Sequence, residues 1–263
     1  MEKHIVHTRI QHLFLSPFAG FLNFIYVNPC IQSVFRALSI YGEDGFVTMH
    51  NHDFMKDPHF QSAYKRGIQA NGNDLHWKWR VHVGLWAASH AVQLDGDFVE
   101  CGVNRGFLSS SIMEYLHWNT LGKKFYLFDT FHGLDARLVS QEEKTLGRVQ
   151  ESQNVYPECY EEVKKNFRKY KHVVLVRGSV PSTLPTVPIQ KVSYLSIDMN
   201  NYTPEIAAAE YFWPKLVSGA IILLDDYAYK GFLPQKKAFD AFARRKGISI
   251  LSLPTGQGLI IKP

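Results

Sequence analysis

Three aspartates pose the first question of this sequence. Two apolar runs that read as buried strands, VSYLSID and GAIILLDD, end in Asp198 and in the pair Asp225 and Asp226, where like charges repel. Earlier in the chain, FVECGVNRGF sets Glu100, Gly102 and Gly106 at another strand-to-helix turn. Glycines there let the backbone approach a ligand closely, and a carboxylate on the strand end binds hydroxyl or amine donors rather than phosphate. A dinucleotide loop needs GxGxxG so that a pyrophosphate sits on the helix N-terminus. Here the spacing is GxxxG preceded by an acid, which favours a nucleoside ligand without a pyrophosphate. Asp129 ends the next apolar run, in FDTFHGL, where a carboxylate either grips a ribose diol or caps a helix. Gly178 and Ser179, in RGSVPSTLP, either line an adenine pocket or form a turn.

These residues need a scaffold of alternating strands and helices, and the chain supplies one from about residue 75 onward. Strands are expected at DFVEC, KKFYLFD, HVVLVRG, VSYLSID, AIILLDD, ISILSL and GLIIKP, with helices over 75–93, 107–118, 158–170, 204–216 and 235–246. That order makes an α/β fold: a seven-stranded, mostly parallel sheet with helices on both faces, closed at one edge by a hairpin through PTGQ. Ligands bind beyond the carboxyl ends of such strands, where the residues above fall. The polar stretch from 131 to about 156 is expected to be irregular, and at that length it reads either as a lid over cofactor and acceptor or as a surface loop. Trp77, Trp79 and Trp86, before the first strand, are read as core or interface aromatics, with pocket lining as the alternative.

Composition narrows the function classes. A chain of 263 residues, 46% hydrophobic and 20% charged, suits one full globular domain and an appendage. The net charge of +5 comes from scattered Lys and Arg, which argues against a nucleic-acid partner. Cys30, Cys101 and Cys159 have no CxxC spacing, so neither a disulfide framework nor a zinc site is indicated, and the cytoplasm is the default location. Residues 1–70 lack the strand-helix rhythm and read as an N-terminal helical cap or oligomerisation arm, with 71–263 as the main domain. Its apolar segment HLFLSPFAGFLNFIYVNPC is interrupted by Ser16, Pro17, Gly20 and Asn23, short of the ~20 uninterrupted residues a bilayer span needs. It reads as a packed or interface helix, with membrane-surface association as the alternative.

Acid and glycines, then acid, then a small polar turn form the layout of a class I S-adenosylmethionine-dependent methyltransferase, a Rossmann-like fold. The runs FVECGVNRG, LFDTFHGL and EEVKKNFRKY and the span from Arg177 to Tyr227 resemble the macrocin O-methyltransferase family, in the same order and at similar intervals, over roughly residues 75–263. That family methylates sugar hydroxyls in natural-product assembly. The resemblance implies S-adenosylmethionine held by Glu100, Gly102, Gly106, Asp129, Gly178 and Ser179, and Mg2+ held by Asp198, Asp225 and Asp226. It also implies a homo-oligomer. Hard carboxylate oxygens suit Mg2+, and a cation relieves the repulsion among the three acids. Methyl transfer from a sulfonium is an in-line displacement, and a metal that chelates vicinal oxygens both aligns the acceptor and lowers its pKa. The implied acceptor is therefore a sugar or another polyhydroxylated small molecule.

One position departs from the family. The fourth strand there commonly ends Asp-Gly-Asp, with the second aspartate a candidate base; this chain reads Asp198, Met199, Asn200. An amide takes no proton, so either the metal alone activates the acceptor or another group serves; His132, in the loop after Asp129, is the substitute candidate, with a surface or packing histidine as the alternative. Asn200 and Asn201 instead orient the acceptor or complete the metal shell. The same departure keeps open a catalytically weak or inactive protein that serves as a partner-binding scaffold. An NAD-dependent oxidoreductase would need the dinucleotide turn that is missing here.

Overall fold

The computed structural model of the protein describes Ser33 and residues 40–263. The apolar segment 12–30, Cys30 and most of the expected arm before residue 40 lie outside the described residues. The hairpin β1 (Tyr41–Glu43) and β2 (Phe46–Thr48) turns through Asp44-Gly45, both at positive φ, the dipeptide that such a tight turn favours. Helices α1 (Pro58–Asn71) and α2 (Lys78–Ala91) follow. Asp57 caps α1 by accepting from the His59 N–H, Pro58 opens it, and Gly72 in the left-handed region ends it.

Seven strands then form one sheet: β3 (Asp97–Cys101), β4 (Phe125–Asp129), β5 (Val173–Arg177), β6 (Val192–Ile197), β7 (Leu216–Leu224), β8 (Leu251–Ser252) and β9 (Gly258–Ile261), in the order β5-β4-β3-β6-β7-β9-β8. The first five pair in parallel, while β9 runs antiparallel between β7 and β8 as the expected edge hairpin. The intervening helices are α3 (Phe107–Tyr115), α4 (Gln141–Thr145), α5 (Arg148–Val155), α6 (Tyr160–Phe167), α7 (Tyr202–Phe212) and α8 (Leu233–Lys246).

Successive strand residues point to opposite faces and so build two cores. Phe98, Leu127, Tyr194 and Ile221 pack with α1, α2, α3 and α6, whereas Val99, Phe128, Leu195 and Ile222 pack with α7 and α8. Residues 58–70, assigned by sequence to the arm, thus contribute Phe60, Ala63 and Tyr64 to the first core.

Most element ends shift by two or three residues from expectation, and three differences have a clear cause or extent. The stretch 131–156 is not irregular: Ser140 and Glu143 form a reciprocal capping box that starts α4, and α5 follows. Helix α7 stops at Phe212, where Trp213–Lys215 tightens around Pro214, so β7 begins four residues earlier than AIILLDD suggests. The expected strand ISILSL shortens to Leu251–Ser252.

The chain runs outward from β3 to β5 and returns to β6 beside β3, which opens a crevice at the carboxyl ends of β3 and β6. Backbone bonds continue past the strand tips: Gly102 N to Phe128 O at 2.8 Å, Asp198 N to Cys101 O at 2.8 Å, Asp225 N to Ile197 O at 3.0 Å and Gly178 N to Asp129 O at 2.8 Å. These ladder rungs set the tip residues side by side.

Candidate active site

One cavity at this carboxyl edge is lined by Glu100, Gly102, Asp129, His132, Gly178, Ser179, Asp198, Asn200 and Asp225. Gly106 and Asp226 are not among its lining residues. Trp77 lines it as well, whereas Trp79 packs edge-on against Phe46 and Phe54, and Trp86 is 52% exposed with His90 stacked beside it.

Glu100 is buried, and its Oε2 has no hydrogen-bond partner among the described residues. Burial, followed by the charges of Asp225 and Asp129, pushes its carboxyl up to about 8. The Ser109 hydroxyl offsets this only in part, and the unpartnered Oε2 suits an ammonium entering from the cavity. The neighbouring glycines answer first to the protein's own packing. A Cβ on Gly102, at φ 91°, would fall 1.7 Å from the Asp198 carbonyl oxygen, and one on Gly106, at φ 83°, would strike the Phe167 ring at 2.5 Å. Gly102 therefore permits the close approach of the β3 and β6 tips.

Asp129 is engaged by the turn it faces. Its Oδ2 accepts from the N–H groups of Val103 (2.6 Å) and Asn104 (2.7 Å), and its Oδ1 from Phe131 N–H (2.7 Å) and the Thr130 hydroxyl (3.3 Å). Four donors on a carboxylate with about four acceptor sites leave a ribose diol to share or displace them. Phe131 is held at φ 60°, a strained backbone for a bulky residue, and the exposed His132 follows it on the cavity wall. Gly178, at φ 141°, and Ser179 make the turn after β5, with the Ser179 hydroxyl donating to Val180 O at 3.3 Å.

The three aspartates meet as their strands dictate. One ligand oxygen from each of Asp198, Asp225 and Asp226 lies within 4.8 Å of the others. This donor set fits a hard divalent cation. Asn200, at φ 58°, donates from Nδ2 to Asp198 Oδ1 at 3.3 Å, so the amide orients a candidate ligand.

Sequence reasoning missed two neighbours of this group. Arg80 on α2, 3% exposed, donates to Asp225 Oδ2 at 2.7 Å and to Asp225 O at 3.2 Å. Its Nε reaches Asp44 Oδ2 in the β1–β2 turn at 3.0 Å, and Gln257 Nε2 approaches Asp225 Oδ1 at 3.3 Å. The three acids thus have a protein counter-charge before any metal is considered. The second is Glu205 on α7, whose Oε1 accepts from Met199 N–H at 3.1 Å. Burial and the charge of Asp226 push its carboxyl well up. A charged residue flanked by apolar ones, as in KWRVHV, is the sequence signal that could have flagged Arg80.

This strand order, with helices on both faces and acids along the carboxyl edge, defines a class I methyltransferase fold. The O-methyltransferase NovP superposes with a TM-score of 0.63 at 20% identity, covering 81% of this chain and 99% of that one. The calicheamicin methyltransferase CalS11 gives 0.54 at 16%, covering 94% and 93%. The chain belongs to the Macrocin-O-methyltransferase (TylF) family, whose profile matches residues 86–251. Among its relatives, the 8-demethyl-8-(2,3-dimethoxy-alpha-L-rhamnosyl)-tetracenomycin-C 4'-O-methyltransferase of Streptomyces olivaceus is 30% identical over 144 residues, 51% of this chain and 53% of that protein. The demethyldecarbamoylnovobiocin O-methyltransferase of Streptomyces niveus is 25% identical over 195 residues, 64% and 70%. The chain therefore spans about half the length of the first of these relatives.

Proposed function

We propose that the protein is a Mg2+-dependent O-methyltransferase that moves a methyl group from S-adenosylmethionine to a hydroxyl of a sugar or another small molecule with a vicinal diol. The observation that carries this reading is the meeting of Asp198, Asp225 and Asp226 within 4.8 Å beside the cavity that Glu100 lines. Relatives named as a rhamnosyl-tetracenomycin 4'-O-methyltransferase and a mycinamicin III 3''-O-methyltransferase support a sugar hydroxyl as acceptor.

When bound, the cofactor supplies an electrophilic methyl carbon and the cation polarises the acceptor oxygen. The remaining work falls to the chain. Glu100 offers its unpartnered Oε2 to the cofactor ammonium, and Asp129 stiffens the turn on which the nucleoside lies by holding the Val103 and Asn104 N–H groups. Asp198, Asp225 and Asp226 would hold the cation, with Asn200 steering Asp198. The proton leaving the acceptor cannot go to the Asn200 amide; His132, exposed on the cavity wall, is the side chain assigned to take it.

Calorimetric titration with S-adenosylmethionine and with Mg2+, on wild type and on Asp225→Asn/Asp226→Asn, tests the reading. Cofactor binding to both proteins and metal binding to wild type alone is the expected pattern. A wild type that binds neither removes the catalytic reading.

A further inference from the structure

The segment from Gly133 to Tyr156 borders the cavity and is tied down on both sides of the aspartate group. Glu143, buried on α4, accepts from the Ser140 N–H at 2.9 Å and hydroxyl at 2.8 Å through Oε2, and from Tyr202 N–H at 2.8 Å through Oε1. Tyr202 opens α7, so an acid from this cover caps the helix that starts four residues after Asp198. Next to it, Asn201 Nδ2 donates to Leu138 O at 3.3 Å. On the other side the buried Arg148 guanidinium lies 3.8 Å from the Phe232 ring centroid and donates to Gly231 O at 2.5 Å, with Glu151 paired to it at 2.6 Å. Those two residues follow Asp226 through successive turns, Tyr229 N to Asp226 O at 3.1 Å and Phe232 N to Tyr229 O at 3.0 Å. Within the cover, Leu134 N–H donates to Ser152 Oγ at 2.7 Å and closes it into one piece.

We infer that Glu143 and Arg148 are positioning residues that fix the spacing between the β6 and β7 tips, and through it the affinity of Asp198, Asp225 and Asp226 for a divalent cation. The inference rests on the metal reading above. Neither side chain hydrogen-bonds to the aspartates; each holds the loop that carries them. Mg2+ demands near-octahedral geometry at ~2.0–2.1 Å, so its affinity follows tip spacing closely. The Glu100 end of the cavity hangs on β3, to which neither latch is attached, and the grip on the cofactor is expected to be indifferent to them.

The test titrates the full chain with MgCl2 and, separately, with S-adenosylmethionine, for wild type, Glu143→Gln and Arg148→Met, beside limited proteolysis. Glu143→Gln keeps the volume but turns an amide toward the Ser140 N–H. The expected result is at least a tenfold weaker Mg2+ affinity in each variant, cofactor affinity within about twofold of wild type, and faster cleavage inside 133–156. Should Arg148→Met not fold, Arg148→Lys keeps the charge without the stacked plane and is expected to lose several-fold in Mg2+ affinity. Unchanged Mg2+ affinity with a loosened cover overturns the inference, as does a parallel loss of both affinities, which marks a merely structural role. A wild type that binds S-adenosylmethionine but no Mg2+ overturns the metal reading, and this inference with it.

Discussion

Glu100 carries a proton at neutral pH that most glutamates have lost, because burial disfavours its charged form. Its folded value of about 8 lies above the ordinary 4.5, so the native state binds the extra proton between those limits. The stability this group contributes is therefore fully present below about pH 4.5 and is lost as the pH rises through about 8. An ammonium partner reverses the preference. Cofactor binding is expected to release a proton below about pH 8 and to tighten as the pH is raised toward it, and Glu100→Gln should weaken binding and flatten both slopes. Calorimetry in buffers of different ionisation enthalpy reads the proton directly. Arg80 supports a second prediction. It is 3% exposed and paired with the buried Asp225, and deleting one partner of such a pair costs about 3–5 kcal/mol because the other charge is stranded. Arg80→Met is expected to lower stability by about that amount, and Arg80→Met/Asp225→Asn to recover more than about 1 kcal/mol of it, measured by urea unfolding. Strict additivity would remove the pairing as the source.

At the scale of elements, the site depends on how closely the β3 and β6 tips can approach. Gly102 sits between them, and any Cβ there meets the Asp198 carbonyl carbon at 2.4 Å and its oxygen closer still. Backbone cannot swing aside as a side chain can. Gly102→Ala combines a left-handed strain with an overpacked contact and is expected to cost on the order of 2–5 kcal/mol, with Mg2+ and cofactor affinity both falling because both tips move. A melting temperature within about 2 °C of wild type would show that the tips yield more easily than the ladder bond from Asp198 N to Cys101 O implies.

For the whole molecule, α1 belongs to the same core as the sheet, so a truncation that tests the N-terminal region for an interface must leave α1 in place. We expect a protein lacking residues 1–39 to keep its fold and to fall in mass by light scattering, if the apolar run 12–30 joins subunits as proposed from sequence. An unchanged assembly would sink that role. None of the described helices is long and apolar enough to cross a membrane. Cys101 and Cys159 are free and buried.

Which segments become strands, and which residues end them, was legible in the sequence alone; the order of the strands across the sheet was not. Apolar runs such as VSYLSID and AIILLDD announce buried strands locally, and the acids that end them must fall at one edge of a parallel sheet. Glu100, Asp129, Asp198 and Asp225 reached one cavity for that reason. The capping box at Ser140 and Glu143 and the Asp44-Gly45 turn were equally local and could have been read. What those acids touch came from the packing of distant elements. Arg80 meets Asp225 across 145 positions of chain, Asp129 turns its oxygens to the glycine turn, and Glu143 reaches past its own helix to cap α7. Such partnerships depend on the direction in which packed elements aim a side chain, and the period of a sequence specifies a face without specifying what stands opposite it.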